Sequence, residues 1–163
     1  AQGHADAARA QLAQAGLGAN RPSPRVLRAQ TQVEGLVGDA ATRVHLYDAF
    51  LASLSGPRAD LERMRALPGL GRALLDLNRP DEARIQLKAA QALQDGFGIE
   101  ASPDRAEVWL GLGRAHLALA QPEQALPMLQ QANDFWQGFS GADSRLASES
   151  RLWLGRARAA ARR

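Results

Sequence analysis

The chain has 163 residues, no cysteine, and a net charge of +3 from 20 basic and 17 acidic side chains. That length supports one domain with a real core, and the missing cysteines exclude a disulfide framework and a thiolate metal site. Their absence fits a reducing compartment, so the cytoplasm is the expected location. Acidic residues are interleaved with the arginines almost everywhere, which argues against nucleic acid as the partner. Lys88 is the only lysine, a bias expected of a GC-rich bacterial genome. No apolar run reaches ~18 residues, so no membrane span is expected. The opening AQGHADAARA lacks the basic and then apolar pattern of a signal peptide, and the first residue is Ala1 rather than methionine. A fragment or processed form of a longer protein is expected. Strand formers are scarce, while Ala, Leu, Arg and Gln dominate; the composition predicts an all-α fold.

In chain order, residues 4–15 place Ala8, Leu12 and Ala15 at helical spacing. Gly16 to Pro24 is rich in breakers. Helices are then predicted over Val26–Val37 and Ala40–Leu54. Ser55-Gly56-Pro57 reads as a stop and restart, with Ser55 a candidate cap and Pro57 at a helix start. The next helix covers about Ala59–Leu77. Pro68 falls inside it, and a kink or break just before Pro68 is expected. Asn78 to Asp81 is a turn, and Asp81–Gln94 a helix ended by Gly96-Phe97-Gly98. Ser102-Pro103-Asp104 opens a helix to Leu119 with a cap, a proline and an acidic first turn. Pro122–Gln137 follows, then a loop over Gly138–Ala142 and a last helix over Ser144–Ala161.

The tetrapeptide Leu-Gly-Arg-Ala occurs at Leu70–Ala73, Leu112–Ala115 and Leu154–Ala157, 42 residues apart each time. Ala41, Ala83 and Ala125 keep the same interval, as do Leu87 and Leu129, Ala90 and Ala132, and Phe97 and Phe139. A fixed period of this size predicts stacked helical hairpins, each a first helix A and a second helix B. The predicted single domain spans residues 1–163. It comprises an orphan B helix at 4–15, units at about 24–56, 58–98 and 102–140, and a terminal capping helix at 144–161: seven or eight helices. Glycine inside a helix costs about 0.5–1 kcal/mol relative to alanine. Gly71, Gly113 and Gly155 in register therefore imply a shared packing demand. Each removes a side chain where helix A must approach helix B. Leu112, Gly113, Ala125, Leu129 and Ala132 are expected to be buried together.

Trp109, Leu112, Gly113, Ala125, Leu129 and Ala132 resemble the signature of the tetratricopeptide repeat. Leu70, Gly71, Ala83, Leu87 and Ala90 repeat the fit. His116 stands where a tyrosine is usual, and in the first unit Arg28-Ala29 and His45 depart from the pattern. The 42-residue period is similar to the variant found in kinesin light chains and in bacterial signalling proteins. The resemblance implies a right-handed superhelix of antiparallel helix pairs whose A helices line a concave groove. It implies a protein- or peptide-binding scaffold, such as the regulatory region of a Ser/Thr kinase. A transcription regulator's sensor half and an oligomerisation spacer are the alternatives.

No nucleophile elbow, kinase motif, phosphate loop or catalytic carboxylate pair is present, so neither an enzyme nor a cofactor is expected. His4, His45 and His116 lie in different units without a ligand cluster, which argues against a metal site. Arg72, Arg114 and Arg156 each follow a packing glycine, and residues at i, i+4 and i+7 share a helix face. The resemblance turns that face to the groove, with Gln30 at the matching place in the first unit. The row is either a ladder for carboxylates of an acidic partner or a set of internal pairs with Glu107 and Glu149. Leu110, Leu117 and Trp153 would supply apolar anchoring. Trp109 is a core position. Trp153 stands where earlier units have Gly69 and Gly111, as a partner contact or as packing.

Overall fold

The computed structural model describes residues 23–140 and 144–162, with a few single positions before Ser23. Of the predicted helix at 4–15 only Ala7, Ala8, Ala10, Gln11 and Gln14 are described, each of them helical, and the rest lie outside the described residues. Among those described there are seven helices and no strand: α1 (Pro24–Val37), α2 (Ala40–Ser53), α3 (Ala59–Asp76), α4 (Pro80–Gly96), α5 (Pro103–Ala118), α6 (Pro122–Ser140) and α7 (Arg145–Ala160). Local chemistry sets most of the starts. The side chains of Ser23, Asp39, Ser102 and Ser144 each accept a backbone N–H three residues on, as N-caps. Asp39 is held below its ordinary carboxyl value, first by the Thr42 hydroxyl and then by the Thr42 amide. This cap is at full strength above the ordinary carboxylate range. It weakens as acidification passes through the lowered value.

Each helix packs on the next, and α3 on α5 and α5 on α7 as well. The B helices α4 and α6 share no comparable interface. A helices that pack directly on one another while α4 and α6 meet at most weakly put α3, α5 and α7 on the inner side of the array. The result is a TPR-like solenoid of antiparallel pairs.

The Leu-Gly pair of each A helix works in two directions. Gly113 faces forward: a Cβ built there would collide with Leu129 of α6. Leu112 faces backward, into a cluster with Leu87, Ala90 and Leu70. The five residues expected to be buried together are all buried, but Leu112 belongs to this earlier cluster. Ala125, Leu129 and Ala132 lie in the later one with Leu154. A single helix carries two packing faces here, and adjacent residues point to different ones.

Three local expectations are corrected. The break expected just before Pro68 does not occur, and α3 runs on across it. Proline cannot donate to the carbonyl four residues back, at a cost of about 3 kcal/mol. Pro68 is buried, and so are Met64, Leu67, Leu70 and Gly71 around it, so tertiary packing holds the helix through the defect. Ser55 is not a cap, and the helix does not start at Pro57. Gly56 takes a left-handed conformation with φ 79°, and the Ala59 N–H donates to its carbonyl at 3.1 Å. Gly138 to Ser140 is helical rather than loop. Phe139 stacks on Phe135 at 5.3 Å and meets Trp136 edge-on at 6.0 Å, which ties down the last turn.

The turns repeat with the period too. Asn78 and Ala120, 42 residues apart, both have φ 56°. Behind them the Arg79 N–H donates to Leu74 O at 2.9 Å and the Gln121 N–H to His116 O at 2.8 Å. Asparagine tolerates that region; alanine is strained there by about 1–2 kcal/mol. Ala120 is exposed, so Ala120→Gly should stabilise the protein by about 1 kcal/mol. A rise in Tm would register the gain, and an unchanged or lower Tm would show that the turn carries no such strain.

Candidate functional site: an arginine and tryptophan cleft

Two of the three repeat arginines join neighbouring A helices. Arg72 of α3 lies 3.2 Å from Glu107 of α5. Arg114 of α5 reaches Glu149 of α7 at 3.4 Å and Asp76 of α3 at 3.3 Å. Asp76 also takes Arg43 of α2 at 2.7 Å, and Glu149 takes Arg145 at 3.4 Å. A chain of charges thus runs across α2, α3, α5 and α7. The Arg114 side chain is only 15% exposed, so its pairs are screened less than surface pairs.

Arg156 differs. It is exposed, and no ion pair involves it among the described residues. Its guanidinium carbon stands over the Trp153 ring, 4.6 Å from the centroid. That of Arg114 stands over the same ring at 5.1 Å. Guanidinium groups favour such positions over indole. Trp153 is half-buried, packed on the cluster of Leu129 and Leu154. Together Arg114, Leu117, Trp153 and Arg156 line a cleft of about 410 Å³, closed by Leu75, Asn78, Ala118 and Ala160.

The expected row is therefore divided. Gln30 on α1 and Arg72 on α3 are half-buried and lie outside this cleft. Leu110 does not line an open groove: it is 2% exposed, within the core cluster that includes Ala147 and Leu154 of α7. The next A helix covers the position that a single helical wheel assigns to the groove. Leu75 shares the Arg72 face by its i+3 spacing, as expected; Asp76, Asn78 and Ala160 were not singled out as site residues in the sequence. Asp76 had a signal, four residues after Arg72, but that spacing suggests a pair within one helix. The structure gives Asp76 to Arg43 and Arg114 instead.

His116 is 7% exposed, with Nδ1 2.8 Å from Gln121 Oε1, and His45 is exposed; His4 lies outside the described residues. Among the described residues no group of three or more His, Cys, Asp or Glu is placed to hold a metal ion. None of the described helices is long and apolar enough to cross a membrane.

The tetratricopeptide repeat family model matches residues 62–137, the stretch from early α3 to the last turn of α6. No curated protein and no solved structure matches the chain. The chain carries a TPR-like, all-α repeat region, and that class is consistent with a protein- or peptide-binding scaffold.

Proposed function

We propose that the protein binds an acidic peptide segment in the cleft between α5 and α7. The carrying observation is Arg156, exposed, stacked on Trp153, and without a carboxylate of its own among the described residues. At the two earlier positions in the row the arginine holds a glutamate of the next A helix. At Arg156 a ligand carboxylate takes that place, accepting from the guanidinium edge while the ring supports its face. Leu75, Leu117 and Trp153 offer apolar contact to an adjacent side chain. Arg72 and Arg114 serve the array more than the ligand, because their carboxylates are already supplied.

The interaction is weak for a single segment. Exposed charge pairs contribute about 0.2–1 kcal/mol each, and burying one leucine-sized side chain adds about 1.5–3 kcal/mol. A Kd of about 1 mM is therefore the tightest these contacts support for one segment, before the cost of association is subtracted. The test is calorimetric titration with a peptide of alternating glutamate and leucine and with its glutamine counterpart. The glutamate peptide should bind more tightly by about 1.5–5-fold, and Arg156→Ala should erase that preference without lowering Tm. Equal affinity for both peptides, or an unchanged preference in Arg156→Ala, would defeat the reading. Duplex DNA serves as the control for a nucleic-acid role, since its binding weakens steeply as salt rises.

A further inference from the structure

The repeat leaves one helix face unfilled. On α3 a Cβ added at Gly71 would lie 2.6 Å from Leu87 Cγ, and on α5 one added at Gly113 would run into Leu129. On α7 the same position, Gly155, is exposed, and an added Cβ would meet nothing within 4 Å. The neighbouring positions agree. Leu110 is 2% exposed, but its counterpart Leu152 is 54% exposed. Ala106 is buried, but its counterpart Ser148 is exposed.

The helix that fills such a face is specified by the chain itself. α4 presents Asp81, Ala83, Leu87 and Ala90; α6 presents Glu123, Ala125, Leu129 and Ala132. In both, an acid stands two residues before an alanine, the leucine four after it and a second alanine seven after it. The leucine is the residue that seats on the packing glycine. α2 lacks the set, with His45 in place of the leucine. The set occurs once more, at Asp6, Ala8, Leu12 and Ala15, with the same spacing.

We propose that residues 4–15 of a second copy dock on the open face of α7, with Leu12 seated over Gly155 beside Leu152. The joint continues the interface already formed by α3 with α4 and by α5 with α6. It is specific because it needs both the glycine and the leucine in register. The same segment of the same chain is badly placed for it. From α1 the array passes through α2, α3 and α5 before reaching α7. Helices packed about 8–10 Å apart put the far side of α7 about 30–40 Å from α1. The eight residues from Gly16 to Ser23 span at most about 28 Å when fully extended. A contact between two different surfaces is heterologous, so copies add head to tail and the assembly grows.

Sedimentation of the full chain over a range of concentrations tests this. The wild type should rise in mass with concentration. Leu12→Glu and Gly155→Glu should each remain at the mass of one chain. An equal mixture of the two should form a species of two chains and nothing larger, because one intact segment meets one intact face and both remaining ends are blocked. Leu152→Glu provides a second variant of the α7 face, at an exposed residue, and circular dichroism checks that all variants keep wild-type helix content. A wild type that stays at one chain throughout, a folded variant that grows like the wild type, or a mixture that remains at one chain would overturn the proposal.

Discussion

Leu87→Ala is expected to cost about 2–5 kcal/mol, the range for a large residue removed from a packed core. Leu87 is 1% exposed. Glycines of both flanking A helices make room for it. A Cβ at Gly71 of α3 would lie 2.6 Å from its Cγ, and a Cβ at Gly111 of α5 would lie 2.9 Å from its Cδ1. Truncation leaves a void bordered by two glycines, which have no side chains to collapse into it. The loss should therefore fall in the upper part of the range. Urea unfolding measures it as a lower midpoint at unchanged slope. A midpoint within error of the wild type would mean that α3, α4 and α5 do not share a core.

Gly113→Ala and Gly155→Ala are expected to move stability in opposite directions, although the two glycines hold the same place in the repeat. At Gly113 the new methyl collides with Leu129, which is 0% exposed and held on all sides. Overpacking of this kind costs about 1–3 kcal/mol. At Gly155 the methyl enters open space, and the helix gains the about 0.5–1 kcal/mol by which alanine exceeds glycine. The pair should be measured at high dilution, so that any association through α7 does not contribute. Two shifts of the same sign would show that the glycines are not packing residues of one repeating contact.

The architecture was legible because three units write the same residues at one interval. Leu70, Gly71, Ala83 and Leu87 recur as Leu112, Gly113, Ala125 and Leu129, and no local ambiguity survives that repetition. Local rules failed where tertiary contacts outweighed them. Pro68 reads as a breaker, yet the buried residues around it keep α3 whole. Gly138 reads as a loop, yet the Phe135 and Phe139 rings carry α6 past it. The candidate site was legible only in part. The row of Arg72, Arg114 and Arg156 follows from the period, and so does the presence of Trp153 beside it. Glu107 and Glu149 were legible as internal partners, and each pairs with the arginine of the preceding A helix; that Asp76 goes to Arg43 and Arg114 does not follow from the sequence. Arg72 had Asp76 one turn away on its own helix and Glu107 on the next A helix, and only the stacking distance between units decides for Glu107. Leu110 shows the same gap: its helix face is readable, but the α7 residues that cover it lie more than thirty residues away in sequence.

The indole N–H resonances of Trp109, Trp136 and Trp153, followed by NMR during titration with the glutamate and leucine peptide, bear most directly on the binding cleft. Trp136 is 3% exposed, and Trp109 sits under Arg105 on another part of α5, 5.6 Å from the guanidinium carbon. Binding in the cleft predicts a saturable shift of the Trp153 signal alone, with Trp109 and Trp136 unmoved, and a smaller shift with the glutamine peptide. A Trp153 signal that stays fixed while either of the others moves would place the peptide elsewhere and contradict the assignment of the site.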